Sequence, residues 1–270
     1  MMTTPAPNNP HPPSPDVVIE RALEHVKQFY QQHTEIKASH GLQHVLAVYD
    51  HSVKAIACHE PPLAPLVSME VKLAALLHDV DDKKYFPQNG NYENARGILE
   101  KAKVPIDSSC EEVLGMIRLV SCSANGNQVP QCIIQNGDYH LLIPRWADRL
   151  EAVGAIGVVR CYQYNQEHND PLSSPQSPRA QTKIEVWKYA KPERFIKYQE
   201  SGGASSDMIS HYYDKLLHIA CPPKELVANS YLERMAEESS EELVEVCLRF
   251  GRTGRVDENY IQDIATKLAI

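Results

Sequence analysis

The stretch from Val71 to Asp79 constrains the fold more than any other, because only Lys72 is polar before a histidine and an aspartate, His78 and Asp79, arrive together. A helix that is apolar on most of its faces has to be buried. Positions 71, 74, 75 and 78 fall on one helical stripe, so His78 is expected to point inward, and Asp79 leaves the same buried end. An unpartnered carboxylate there costs on the order of several kcal/mol. A divalent cation would satisfy it. On these two residues alone, a neighbouring helix start whose amides donate to Asp79 serves equally well.

The rest of the chain also reads as helical. Val17, Leu23, Val26 and Tyr30 share one face, as do Val45, Val48, Tyr49, Ser52 and Ile56, and no alternating strand pattern stands out. Asp16 follows a proline, Ser68 precedes Met69-Glu70-Val71, and Ser108 and Ser109 each stand three residues before a glutamate, as in a capping box. These signals place helices near 16–33, 42–59, 68–79, 92–102, 108–121, 146–166, 206–219, 225–250 and 257–268. The expected fold class is all-α, a helical bundle. Residues 1–15, rich in proline and asparagine, read as a disordered lead-in to one domain over 16–270. The polar segment 169–182 reads as an exposed loop inserted between helices. No internal repeat is visible.

Composition narrows the function classes. With 35 acidic against 27 basic side chains the net charge is -8, so the chain lacks the basic field that duplex nucleic acid requires. A small phosphorylated substrate remains compatible, since a local cluster of cations can attract phosphate within an acidic protein. The seven cysteines are scattered and form no C-x-x-C pair, which reads as reduced thiols. There is neither a secretory signal nor an apolar run of membrane-spanning length, so the expectation is a cytoplasmic protein that does not enter a membrane.

Two further residues join His78 and Asp79 as candidate metal ligands. His44 lies beside the apolar stripe of its helix, on a face with Val48, His51 and Ala55. His40, four residues earlier, is an alternative donor on that face, although Gly41 at the helix start favours a capping or outer role for it. Asp148 opens a segment in which Ala, Val, Ile and Gly dominate from Ala152 to Val159, and Gly154 and Gly157 would allow another helix to approach closely. Two imidazoles and two carboxylates form a mixed nitrogen and oxygen set suited to Mn, Fe, Co, Ni, Zn or Mg, with positions left for water and substrate.

His44, then His78-Asp79, then Asp148, in the contexts HGLQHVLAVYDHSVKAIA, LAALLHDVDDKKYF and ADRLEAVGAIGVVR, resembles the HD-domain phosphohydrolase superfamily. More narrowly it resembles the bacterial and fungal branch that includes a manganese-dependent nucleoside-triphosphate pyrophosphohydrolase. The similarity runs from about His40 to Arg160, and the later MISHYYDKLLHI also looks like that branch. The resemblance implies an HD-type helical bundle with His44, His78, Asp79 and Asp148 as metal ligands, manganese as the leading ion, and release of pyrophosphate from a nucleoside triphosphate. The chain departs from the branch at Trp146, where an acid usually stands two positions before the ligand aspartate.

For the chemistry, Asp81 and Asp82 follow the ligand pair directly, and Asp82 is the chosen catalytic candidate to accept a proton from water. Lys83, Lys84 and Arg149 adjoin ligands in sequence, and Lys83 and Arg149 are the chosen substrate-binding residues. Ser121, Ser123 and Asn125 are loop candidates for substrate contact, as well as ordinary turn formers. Three rivals stay open. They are a hydrolase of nucleoside monophosphates or guanosine alarmones, a helical metal-binding scaffold without turnover, and a di-iron oxygenase drawing on His51, His59 and Asp82. The state of assembly is also open, a homodimer included.

Overall fold

Two apolar cores, one on each side of the segment 151–153, organise the chain. They are seen in a computed structural model that describes residues 13–104, 109–222 and 224–268. The disordered lead-in expected over 1–15 lies outside the described residues up to position 12, and Pro15 already opens the first helix. Ser108 lies outside them too.

The first core is built by α1 (Pro15–Gln32), α2 (Leu42–Ala57), α3 (Pro65–Leu77), α4 (Glu93–Ala102) and α5 (Ser109–Val120). Two short helices, α6 (Cys122–Asn125) and α7 (Gln131–Asn136), then lead to α8 (Ile143–Leu150). Past the boundary come α9 (Gly154–His168), α10 (Lys183–Tyr189), α11 (Pro192–Glu200), α12 (Met208–His211), a π-helical turn over Tyr212–Leu216 and α13 (Leu217–Ala220). The chain ends with α14 (Lys224–Val227), α15 (Ser230–Glu238), α16 (Glu241–Thr253) and α17 (Glu258–Leu268). The fold is all-α, with no strand among the described residues.

Helix α3 sits at the centre of the first core, against α1, α2, α5 and α8. Leu73, Leu76 and Leu77 are fully buried, each contributing about 1.5–3 kcal/mol. The second core packs α9 against α16, α17 and the α12–α13 region, around Val158, Met208, Tyr212, Tyr213, Leu217, Leu243 and Cys247. Helix α15 returns to the first core through Tyr231 and Leu232.

The expected single helix over 146–166 is two helices. Val153 is extended and Gly154 has φ +65°, so the helical path stops and restarts. A Cβ on Gly157 would collide with the carbonyl of Ala152, which shows how tightly the link folds back on α9. Arg160 holds the break: its Nη1 donates to the Glu151 carbonyl at 2.7 Å and its Nε to the Ser39 carbonyl at 3.0 Å. The expected helix over 225–250 is three helices: Ala228 takes φ +48° before α15, which Asn229 caps while donating to the Ala55 carbonyl at 2.9 Å, and the chain breaks again at Ser239 and Ser240 before α16. Helices α6, α7, α10 and α11 have no counterpart in the expected pattern, being short or on the surface.

The segment 169–182 runs from α9 to α10 without helix, and although half of its residues are exposed it is a strap stitched to both neighbouring elements. Its Pro171 and Leu172 carbonyls accept the amides of Met208 and Ile209, and Ser177 and Ala180 are buried. Arg179 and Gln181 donate to the Gly251 carbonyl of α16, where any side chain at Gly251 would meet the Ala180 backbone. The main anchor is Asp207. Its carboxylate accepts from the Ser210 amide and from the hydroxyls of Ser174, Ser177, Ser206 and Ser210, all at 2.7–2.9 Å.

Burial pushes the Asp207 carboxyl up, but the hydrogen bonds from Ser210, Ser177 and Ser206 outweigh it and the net shift is downward. Asp207→Ala is therefore expected to lower unfolding stability by about 2–4 kcal/mol, measured in urea near neutral pH. A group with a depressed folded pKa stabilises fully above its ordinary pKa and loses that contribution as pH falls through the depressed value. The gap between the wild type and the variant should thus close in acid. A gap of constant size across that range would refute the assignment.

Candidate metal centre

The buried end of α3 delivers His78 and Asp79 to the boundary between the two cores, where α2 supplies His44 and α8 supplies Asp148. His44 Nε2 lies 3.2 Å from His78 Nε2, 3.4 Å from Asp79 Oδ2 and 3.3 Å from Asp148 Oδ1. His78 Nε2 lies 3.5 Å from Asp79 Oδ1 and 3.7 Å from Asp148 Oδ1. For bonds of about 2.1 Å, adjacent ligand atoms sit about 3.0 Å apart around an octahedral ion and about 3.4 Å apart around a tetrahedral one. The observed spacing is that of a coordination shell. His44, His78 and Asp79 form a group able to hold a metal ion, with ligand atoms all within 4.8 Å of one another, and Asp148 stands beside it.

The surroundings favour a cation. His78 Nδ1 donates to the Ala75 carbonyl at 2.9 Å, which fixes the ring and turns Nε2 toward the other three residues. The two imidazoles are enclosed, with side-chain exposures of 2% and 1%, whereas Asp79 and Asp148 keep 19% and 24%. The carboxylates therefore face the opening. For Asp148, burial acts upward, but the hydrogen bond with His44 and the charge of His78 bring the carboxyl down to about 2. Asp79 is also held well below the ordinary range, because His78 and His44 outweigh burial. Burial and Arg160 oppose a charge on His44, yet its hydrogen bonds with Asp148 and Asp79 raise it. Two carboxylates that stay ionised pull either a proton or a metal ion toward the imidazoles.

The other sequence candidates separate clearly. His40 is not part of the set: its Nε2 accepts from Lys84 Nζ at 3.0 Å, and burial together with the Lys84 charge brings it down to about 3. Asp81 accepts from the side chain of Asn89 and the amides of Asn94 and Ala95, so it fastens the start of α4. Asp82 accepts the Lys84 amide on Oδ1 at 2.9 Å, and burial and the charge of Asp79 raise its carboxyl. Lys83 is exposed and makes no contact with the set among the described residues.

Arg149 is buried and committed elsewhere, Nη1 to Asn127 Oδ1 at 2.5 Å and Nη2 to the Gly126 carbonyl at 2.6 Å, so it braces that loop. Asn125 bonds the Arg118 and Ser121 carbonyls, Ser121 caps Ala124, and the Ser123 side chain lies outside the described residues. Trp146 is buried between the guanidinium groups of Arg145 and Arg149, at 5.7 and 5.5 Å. Two residues along a helix is a rotation of about 200°, so Trp146 and Asp148 project from opposite sides of α8. His51 bonds Tyr231 and Glu151, and His59 bonds the Pro61 carbonyl, so both are turned to other partners.

Sequence reading missed Arg160 and Lys215. Arg160 clamps the break before α9, and Lys215, on the π-helical turn, lies within electrostatic reach of Asp148. The available signal for Lys215 was a lysine embedded among Tyr212, Tyr213, Leu216 and Leu217.

Comparison with known proteins gives the chain relatives. No protein-family model matches it. An uncharacterized protein of Acanthamoeba polyphaga mimivirus is 35% identical over 236 residues, covering 83% of this chain and 93% of the viral one. The chain belongs to that protein's family. Among solved structures, a Lactobacillus plantarum protein from structural genomics aligns with a TM-score of 0.58 at 20% identity, covering 88% of this chain and 95% of the other. A Listeria innocua protein aligns at 0.51 and 18%, covering 96% and 99%. At these identities the likeness shows a shared fold across nearly the whole chain.

Asp79→Ala and Asp148→Ala are each expected to weaken metal binding by at least about 10-fold, measured by elemental analysis and titration of the purified protein. Full metal retention by either variant would remove that residue from the set.

Proposed function

We propose that this protein is a metal-dependent phosphohydrolase of the HD-domain kind, acting on a nucleotide and releasing pyrophosphate from a nucleoside triphosphate. The observation that carries the reading is the 3.2–3.7 Å spacing of two enclosed imidazoles and two carboxylates that face an opening. A closed structural site would use up every position around its ion, whereas this one leaves the carboxylate side accessible. The resemblance from His40 to Arg160 supplies the phosphate chemistry.

What the ion supplies when bound, manganese in the leading version, is polarisation of a phosphoryl oxygen and a lowered pKa for water. The chain's own residues do the remainder. Ala75 orients His78, and the core around α3 keeps both imidazoles from turning. Asp82 is the proton acceptor: its Oδ1 is held by the Lys84 amide, and its other oxygen has no partner among the described residues. Its raised affinity for a proton suits that role better than an ordinary surface carboxylate would. Lys84, whose ammonium lies 5.1 Å from the Tyr164 ring centre, offsets substrate charge beside it.

A panel of nucleoside triphosphates, monophosphates and guanosine alarmones, with separate detection of phosphate and pyrophosphate, tests this reading. Pyrophosphate should appear in step with loss of a triphosphate, and a chelator should stop it. Phosphate released from a monophosphate would move the substrate assignment, and a full metal complement with no turnover across the panel would favour a scaffold. Asp82→Asn should lower kcat by about 10²–10⁴-fold with metal content unchanged. An unaltered kcat would take Asp82 out of the mechanism.

A further inference from the structure

Three parts of the chain meet around the ammonium group of Lys84. Its Nζ lies 3.0 Å from His40 Nε2 and 5.1 Å from the centre of the Tyr164 ring, while Ser39 Oγ lies 3.1 Å from His40 Nδ1 and donates to Glu167 Oε2 at 2.9 Å. Ser39 and His40 belong to the short turn before α2, Lys84 to the turns after α3, and Tyr164 and Glu167 to α9. These contacts fix the direction of every hydrogen. A lysine ammonium can only donate, so His40 Nε2 accepts; the neutral ring then carries its proton on Nδ1 and donates to Ser39 Oγ, whose own proton goes to the Glu167 carboxylate. Burial and the Lys84 charge bring His40 down to about 3, which keeps that ring neutral.

Amine, imidazole, hydroxyl and carboxylate thus form one polarised chain, the order in which a base and an orienting acid activate a nucleophile. The chain is held in place. Ser39 is buried, with its carbonyl taken by Arg160 Nε at 3.0 Å, and the rings of Tyr85 and Tyr164 flank the His40 imidazole with centres 6.1 and 6.0 Å away. At Lys84 itself, loss of water around Nζ is the largest influence and lowers the pKa. Lys215 of the π-helical turn and Arg160 of α9 act the same way, Asp82 and Asp79 act against them, and the net direction is down. Lys84 is nonetheless exposed along its length, as is Lys83 beside it, so a reagent in solution reaches both.

We infer that Lys84 is a nucleophilic lysine, a site of acylation by small activated carbonyl compounds such as acyl phosphates or thioesters, with His40, Ser39 and Glu167 as the relay that takes up its proton. The ammonium passes one proton to His40 Nε2 as the Nδ1 proton moves to Ser39 Oγ and the Ser39 hydroxyl proton to Glu167. The freed amine attacks the carbonyl carbon of the donor. A C–N bond forms, the C–O or C–S bond breaks, and phosphate or thiolate departs with the electron pair. A second Nζ proton leaves with that group or to water, so the product is a neutral amide and nothing is oxidised or reduced. Acylation removes a cation from beside Asp82, whose Oδ1 the Lys84 amide holds. In the phosphohydrolase reading this lowers turnover; that consequence rests on the reading, and the acylation does not.

Acetylation of the full-length protein by acetyl phosphate, and separately by the thioester S-acetyl-N-acetylcysteamine, followed by tandem mass spectrometry from neutral to alkaline pH, tests this with Lys83 as the internal comparison. Lys84 should react about 10-fold or more faster than Lys83 near neutral pH, and its rate should rise at a lower pH. Selective reaction with either donor supports the site, and the faster donor names the source. Glu167→Gln keeps an oxygen for Ser39 to donate to but cannot take its proton, so this variant, like Ser39→Ala, should slow Lys84 to the rate of Lys83 and move its profile to higher pH. The glutamine change is isosteric at a half-buried position, so it carries the test even if Ser39→Ala impairs folding. Equal rates at the two lysines in the wild type, or a preference for Lys84 that is unchanged in Glu167→Gln, overturns the site. Selective acetylation of a protein that hydrolyses no nucleotide would instead count against the phosphohydrolase reading and leave the lysine assignment standing.

Discussion

The central constraint in this structure is the convergence of His44, His78, Asp79 and Asp148 at 3.2–3.7 Å, with the imidazoles enclosed and the carboxylates ionised. Such an arrangement is electrostatically unstable by itself and is relieved by a proton or by a cation. Each ligand is held by a different part of the fold. His78 depends on the apolar helix α3 and on the Ala75 carbonyl, His44 on α2 packed against α3, and Asp148 on the short α8. Movement of one helix relative to the others would open the spacing, so the packing of the first core and the ligand geometry are a single requirement.

The second core matters to the site through polar connections across the boundary. Arg160 reaches from α9 to the carbonyls of Ser39 and Glu151, joining the start of α2 to the end of α8. Ser39 in turn donates to Glu167 at 2.9 Å, and His51 on α2 faces Glu151 at 3.3 Å. These links are mostly between buried or half-buried groups, where an unmatched donor or acceptor is costly, so they set the relative position of the two cores more sharply than apolar contact would. The strap at 169–182 does the same within the second core, through Asp207 and Gly251.

Much of this was legible in the chain. The apolar run ending in His78 and Asp79 already demanded a buried helix end, and the positions of α1, α2, α4, α5 and α17 follow from period and capping signals. The failures have local causes. The long helices expected at 146–166 and 225–250 are divided at Gly154 and Ala228, which take positive φ, and at Ser239–Ser240, and apolar period alone does not register a backbone turn between two helices of similar composition. The strap reads as a loop because serine, proline and arginine are the residues of loops, and that composition does not tell how the loop is held. Here the same serines are the donors that a buried carboxylate needs.

Composition and periodicity by themselves determined the all-α class, the buried end of α3 and the residue types able to hold a cation, because these depend on neighbours a few positions apart. Tertiary structure alone decided that His44 rather than His40 meets His78, that Arg149 braces a loop, and that Asp81 fastens α4 while Asp82 accepts the Lys84 amide. Those outcomes turn on which way a side chain projects from its helix and on contacts between residues dozens of positions apart. Neither is encoded in spacing along the chain, since a rotation of about 100° per residue moves a side chain from the core to the surface without changing its type.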